Sequence, residues 1–386
     1  MPGPLSGILV LDLSRVLAGP FCTMLLADLG ARVVKVEQPE GGDVTRGWGP
    51  PYHAESGLAA YFLSVNRNKE SIALDLASSD GRRSVEILAR RADVLVENFA
   101  AAAWRRFGLS VDGLRRENPR LVTASITGFG RRGPDASAPG FDLLAQAGAG
   151  LMAITGEPSG EPTKVGVAVS DLLAGCYTAV GVVAALAGRE RTGVAAHVET
   201  DLFSATLASL INVAQSALVT GEEAQRHGNA HPQIVPYRPF HAADGEFILA
   251  VGTDPQFGRL CDIVGRPEWR SDPRFAANAG RVRNRETLEA ALEGIFRREP
   301  RAAWLDRCRT AAVPAGPVRG PLEALQSETA RALEAVREVA GVAFVASPIR
   351  VAGAEAPLAF PPALDAQGDA LRREFGLPGG KTEGAR

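Results

Sequence analysis

Short apolar runs alternate with amphipathic stretches over the first third of the chain. Ile8 to Leu13 is a mostly apolar run suited to a buried strand, and Phe21 to Leu29 follows as a helix. Arg32 to Glu37 alternates apolar and polar positions as a strand does. Residues 81–92 have helical spacing, Val94 to Val96 reads as a strand leading into Glu97-Asn98-Phe99, and Leu121 to Ile126 reads as another strand. This rhythm predicts a mostly parallel sheet covered by helices. Ligands in such sheets sit in crevices at the carboxyl ends of the strands. The loops after Leu13, Glu37, Val96 and Ile126 are therefore the expected places for a site.

The pattern changes downstream. Gly166 to Val169 reads as extended, and Ser170 is placed to cap an apolar helix from Leu172 to Gly188. Phe203 to Val219 reads as one long helix, followed by a polar stretch from Thr220 to Pro232. A strand at 246–251 and helical segments near 254–265, 284–297 and 301–312 suggest a second, smaller domain. Residues 313–386 are rich in Pro, Gly and Ala, with a helix near 321–338, strand-forming residues from Val339 to Val351, and a mobile tail from Gly379. The reading is a large α/β domain over 1–220, a smaller α+β domain over 221–324, and a return to the large domain over 325–386.

Composition narrows the function classes. Of 386 residues, 46% are hydrophobic, and 42 basic against 44 acidic side chains leave a net charge of -2. That balance argues against a dedicated nucleic-acid binder and against disorder. Cys22, Cys176, Cys261 and Cys308 lie far apart, as buried thiols in a reducing compartment do. The N-terminus has no basic stretch before its apolar run, so it does not read as a secretory signal. Two uncharged runs, Leu172 to Gly188 and Leu202 to Gly221, read as buried helices rather than membrane spans. A cytoplasmic protein with no membrane partner is expected.

Some motifs are decoys. Gly128-Phe129-Gly130-Arg131-Arg132-Gly133 matches the dinucleotide pattern, but Pro134 and Pro139 intervene before any helix near Phe141. Gly379-Gly380-Lys381-Thr382 resembles the end of a phosphate-binding loop, with its upstream glycine out of register. No nucleophile-elbow motif is present. His227 and His231 form the one close histidine pair, in a Gly- and Pro-flanked loop that lacks metalloprotease spacing, so no metal site is expected.

Asp171 is the carboxylate that stands out. It falls in the first turn of the apolar helix, where free N–H groups favour an anion, among apolar and small residues. An ionised carboxylate so placed can attack an electrophilic carbonyl and form a covalent intermediate. Gly148, Gly150 and Gly156 would let backbone N–H groups approach an oxyanion.

Eight segments then come in a distinctive order: Arg15-Val16-Leu17-Ala18-Gly19-Pro20, Lys35-Val36-Glu37, Gly42-Asp43, Asn66-Arg67-Asn68-Lys69, Glu97-Asn98-Phe99, Gly128-Phe129-Gly130, Gly140-Phe141-Asp142 and Gly166-Val167-Ala168 with Asp171. Together with HGNAHPQIVPY (227–237) they resemble class III CoA-transferases, the superfamily that includes formyl-CoA transferase and α-methylacyl-CoA racemase. Within it the chain is most similar to succinyl-CoA:glutarate (hydroxymethylglutarate) CoA-transferases.

The resemblance implies a Rossmann-like large domain and an interlocked homodimer. It implies a CoA thioester as substrate, a free carboxylic acid as acceptor, and no tightly bound cofactor or metal. It assigns the nucleophile to Asp171 and contacts with CoA to Val16, Ala18, Leu74, Asn98, Phe99, Arg106 and Phe107. Lys35, Arg67 and Lys69 are further candidates for the CoA phosphates, and Arg46, His53, Tyr61 and the HGNAH loop for the acceptor pocket. Three departures stand out. Leu17 replaces the Gln of formyl-CoA transferases, Gln38 replaces a common Arg, and Ala100-Ala101-Ala102 replaces Arg-Pro-Gly. A racemase needs a proton-carrying His where this chain has Phe141. A non-catalytic acyl-CoA-binding protein is the other alternative.

Overall fold

The computed structural model describes residues 1–355 and 357–379. The Gly379-Gly380-Lys381-Thr382 stretch and the predicted tail lie outside these residues beyond Gly379. Six strands, β1 (Leu9–Asp12), β2 (Arg32–Glu37), β3 (Lys69–Ala73), β4 (Val94–Glu97), β5 (Val122–Thr127) and β6 (His197–Asp201), form one sheet in the order β3-β2-β1-β4-β5-β6. Every pairing in it is parallel.

Successive strand residues point to opposite faces, so each apolar strand feeds two cores. Val10, Val33, Val94 and Val122 pack with the helices Ala18–Asp28 and Val169–Thr192. Leu11, Val34, Ile72 and Leu95 pack on the other face with Ser79–Arg91 and Ala101–Phe107. Leu371 and Phe375, from the C-terminal helix Gly368–Phe375, join that second core. Gly175 lets two helices meet closely, because a Cβ there would sit 2.7 Å from the Ala18 carbonyl.

The chain divides into two compact units. One comprises Met1–Leu151, Lys164–Glu222 and the chain from Thr329 on; the other comprises Met152–Thr163 and Glu223–Glu328. The smaller unit holds the antiparallel strands β7 (Tyr237–Ala242), β8 (Gly245–Ala250) and β9 (Ala315–Pro317). Edge-to-face rings fill its core, with Phe296 5.1 Å from both Phe247 and Trp304. The mixed α/β class with a parallel sheet in one unit and α+β packing in the other is thus as expected.

Three expectations fail locally. The predicted Phe203–Val219 helix is two helices, Leu202–Ser209 and Ile211–Thr220, bent by 80°. Thr206 and Ser209 hydroxyls bond back to the Leu202 and Thr206 carbonyls at 2.7 and 2.6 Å, and Ile211 takes φ +42°, so the ladder breaks there. The two apolar runs are buried only in part, Val169–Thr192 sending Ala174, Ala179, Val182 and Leu186 into the core. Ile211–Thr220 has no buried residue, and Val169–Thr192 turns Tyr177, Val180 and Val183 outward. Val169–Thr192 is long and apolar enough to cross a membrane by length and composition, although 39% of its most apolar window is buried. Finally, the helix expected near 321–338 stops at Ala332 in two short pieces, Pro321–Leu325 and Glu328–Ala332. It gives way to a hairpin of β10 (Val336–Val339) and β11 (Val342–Val345). Ala340 and Gly341 both have positive φ at its turn, the geometry that matches strand twist.

Candidate active site

Strand order reverses between β1 and β4, and the loops leaving those two strands diverge to open a crevice. The cleft is lined by Arg15 after β1, Gln38 and Asp43 after β2, Leu74 to Ala77 after β3, and Phe99, Arg106 and Phe107 after β4. The loop after Ile126 supplies none of the lining, contrary to expectation. Its glycines have a different task. A Cβ on Gly128 would lie 2.4 Å from the Cα of Gly140, so two chain segments cross there without room for side chains.

Leu74, Phe99, Arg106 and Phe107 thus share one wall. The Phe99 ring meets Phe107 at 5.4 Å and Trp104 at 5.7 Å, both edge-on. Arg106 stands 5.1 Å from the Phe107 ring, and Arg15, which sequence reading did not single out, stands 5.9 Å from Phe99. Among the described residues neither guanidinium forms an ion pair. Two uncommitted cations over an aromatic wall suit a phosphate-bearing ligand with a flat ring.

Val16, Ala18 and Asn98, expected to contact the same ligand, are not among the residues that line the cleft. Val16 holds φ +70°, a costly conformation for a β-branched residue, and its N–H donates to Asp43 Oδ2 at 3.1 Å. Ala18 is buried at the start of its helix. The Asn98 amide brackets the Arg15 backbone, donating to its carbonyl at 2.7 Å and accepting its N–H at 3.0 Å. Glu97 accepts from four donors: Phe99 N and Arg131 Nη2, each at 2.7 Å, Trp104 Nε1 at 2.9 Å, and Ser125 Oγ. Such a carboxylate, buried under an aromatic wall, leaves no periodic trace in sequence.

The other proposed phosphate cations are already committed. Lys35 Nζ reaches Asp43 at 3.0 Å and the Ser14 carbonyl at 2.8 Å. Lys69 Nζ reaches Asp12, Asn66 and the Pro20 carbonyl within 3.1 Å. Arg67 pairs with Asp28 and caps the Val345 carbonyl. Arg46, expected near the acceptor, instead grips both oxygens of Glu37 and lies 3.9 Å over Phe62. Burial raises the proton affinity of Asp12, but Lys69 and Lys35 outweigh it and hold its carboxyl at about 2. Burial in turn brings Lys69 down to about 8. Sequence spacing shows the presence of these charges but not that they neutralise one another.

Asp171 has the opposite environment. It lies in the first turn of the Val169–Thr192 helix, and among the described residues its carboxylate has no hydrogen-bond partner. Burial, and then the charge of Asp142, push it up to about 7. The expected stabilisation by the helix start is outweighed, because Asp142 occupies the Ser170 N–H itself at 2.8 Å. Ser170 is therefore not the N-cap; it is a buried member of the first turn, and its hydroxyl accepts from Thr206 at 2.7 Å. Tyr61 faces the same region, its hydroxyl pushed up by burial and then by Asp171, Asp142 and Asp43. Its ring packs edge-on against Trp48 at 5.3 Å.

His53 bonds Ser56 at 2.9 Å, and His231 of the HGNAH loop packs on Tyr237 in the smaller unit. Gly148 lies near the Phe129 and Phe203 rings, while Gly156 belongs to the smaller unit. No group of three or more metal-binding side chains occurs among the described residues.

Residues 5–368 match the family model described as CoA-transferase family III. The chain is 42% identical over 382 residues to acetyl-CoA:oxalate CoA-transferase from Acetobacter aceti, covering 98% of this chain and 97% of that one. It is 44% identical over 319 residues to succinate–glutarate CoA-transferase from Agrobacterium fabrum, covering 82% and 80%. A solved structure of a CaiB/BaiF family protein from Brucella suis superposes with TM-score 0.87 at 40% identity, covering 97% and 100%. The match spans the cleft, the Val169–Thr192 helix and both units, and the chain belongs to CoA-transferase family III.

Proposed function

We propose that the protein moves CoA from a donor acyl-CoA, with succinyl-CoA favoured, to a free dicarboxylic acid, and that Asp171 is the nucleophile. The observation that carries this reading is a half-enclosed carboxylate without a hydrogen-bond partner in the first turn of its helix. An Asp171 oxygen attacks the thioester carbonyl carbon, the C–S bond breaks, and CoA leaves as thiolate. The resulting mixed anhydride is attacked at the aspartyl carbonyl by that thiolate, which releases the donor acid and leaves an aspartyl-CoA thioester. The acceptor carboxylate repeats the two exchanges in reverse and regenerates Asp171. A carboxyl held near 7 is a stronger nucleophile when ionised than an ordinary aspartate, yet still ionised in half the molecules at neutral pH.

Arg15 and Arg106 would take CoA phosphates, and the Phe99 and Phe107 wall its ring. The dicarboxylate acceptors in the names of the two relatives support an acceptor of that class. A homodimer is supported by the exposed apolar faces at Tyr177, Val180, Ile211 and Leu218, which a second copy would cover. A cytoplasmic, soluble protein fits that covering.

The test is mass-spectrometric. Purified protein receives succinyl-CoA or acetyl-CoA with a pool of acids that includes glutarate and oxalate, and Asp171→Ala is run alongside. A new acyl-CoA from the wild type alone names the acceptor, with turnover by the variant reduced roughly 10⁴-fold or more. Comparable turnover by Asp171→Ala would sink the assignment.

A further inference from the structure

The N–H groups that open a helix need partners. Before Val169–Thr192 the residue in the cap position is Ala168, which offers no side-chain acceptor. Asp142, at the start of the separate helix Asp142–Gly148, supplies one from outside: Ser170 N donates to its Oδ1 at 2.8 Å. Its Oδ2 accepts from Gln146 Nε2 at 2.7 Å, one turn further along. Gln146 is fully buried, and its Oε1 accepts from Val165 N at 2.9 Å. Two side chains on one helix thus hold both ends of the irregular stretch that delivers Asp171. Because the Asp171 carboxylate has no partner of its own among the described residues, its backbone decides where it points.

We propose that Asp142 and Gln146 are a positioning pair for the nucleophile, fixing Asp171 through the hydrogen-bonded chain Ser170 N, Asp142, Gln146, Val165 N. The proposal rests on the transferase reading of Asp171. The chain has a direction that makes it testable. Backbone N–H groups donate into it from both ends, so its two middle members must be one carboxylate and one amide. Either order works. Asp142→Asn alone sets two amide NH₂ groups against each other or turns one onto a backbone N–H. Gln146→Glu alone sets two carboxylates face to face. The double variant restores the three bonds of the chain with reversed polarity: the amide at 142 donates to the carboxylate at 146, each keeps one oxygen for its N–H, and only the long bond from Gln146 Nε2 to the Val167 carbonyl at 3.5 Å is given up.

Wild type, both single variants and the double variant would be compared in kcat and KM with succinyl-CoA. Hydrogen exchange at the Val165 and Ser170 amides would be measured on the same samples. Each single variant is expected to lose about 100-fold in kcat with little change in KM for succinyl-CoA, since the cleft is built from other loops. The double variant is expected to return to within about tenfold of wild type, a coupling between neighbours that independent structural damage does not produce. Exchange at both amides should quicken in the single variants and slow again in the double.

Single variants with wild-type kcat, or a double variant no better than the singles, would overturn the proposal. If a single variant fails to fold, the double alone decides by its kcat. If the wild type transfers CoA to no acid, the transferase reading falls instead. The exchange pattern then decides the positioning pair, and protection that does not follow the pairing overturns it.

Discussion

Two sets of carboxylates lie within the larger unit, and burial acts on both in the same direction. Asp12, Glu37 and Asp43, beneath the cleft, are buried, and Asp171 is partly so. Their partners separate them. Asp12 has Lys69, Ser14 and Thr23, and Asp43 has Lys35, Thr45 and the Val16 N–H. Cations and donors there outweigh burial, and all three carboxyls stay below the ordinary range. Asp171 has no cation, and its nearest charge is another carboxylate, so it rises. The first set maintains a strained loop at the mouth of a cleft. Asp171 stores the electrostatic cost of an unpaired carboxylate at the position proposed for the nucleophile.

Breaking the satisfied set should damage the fold rather than the chemistry. Lys69→Met leaves Asp12 buried without its main cation and should lower stability by about 3–5 kcal/mol, read as a fall in the urea midpoint. A loss under about 1 kcal/mol would show that the network contributes little.

The unsatisfied carboxylate should behave in the opposite way. Because Asp171 is raised in the folded chain, the folded state holds more protons than the unfolded one between about pH 4 and 7. Its presence therefore destabilises progressively as pH rises through that window. Asp171→Asn should match wild type in stability near pH 3.5 and exceed it by about 2–4 kcal/mol at pH 8. Equal melting curves at pH 8 would contradict the raised carboxyl. The same group should give kcat/KM an acid limb near pH 7, with activity lost as Asp171 takes up its proton.

The smallest effect belongs to the cleft rim. Arg106→Ala should raise KM for the acyl-CoA about tenfold with kcat nearly unchanged, the mark of a contact kept from ground to transition state. A fall in kcat at constant KM would remove Arg106 from the proposed CoA contacts.

The sequence alone was enough for the parallel sheet, for Asp171 in a first helical turn, and for the order of motifs that the family match bears out. Those features are local, because a buried strand needs a short apolar run and a helix start needs only a change of period. The tertiary structure decided how the charges are used. Lys35, Lys69, Arg67 and Arg46 read as free cations along the chain, but each meets a carboxylate on another element. Asp142 and Gln146 reach Asp171's segment across 19 to 28 residues of chain. The long helix broke at Leu210, and a hairpin replaced the helix predicted near 336, where a positive-φ turn outcompeted local spacing. Whether a charge is free depends on who stands next to it in space, and that is a property of the packed sheet rather than of any window along the chain.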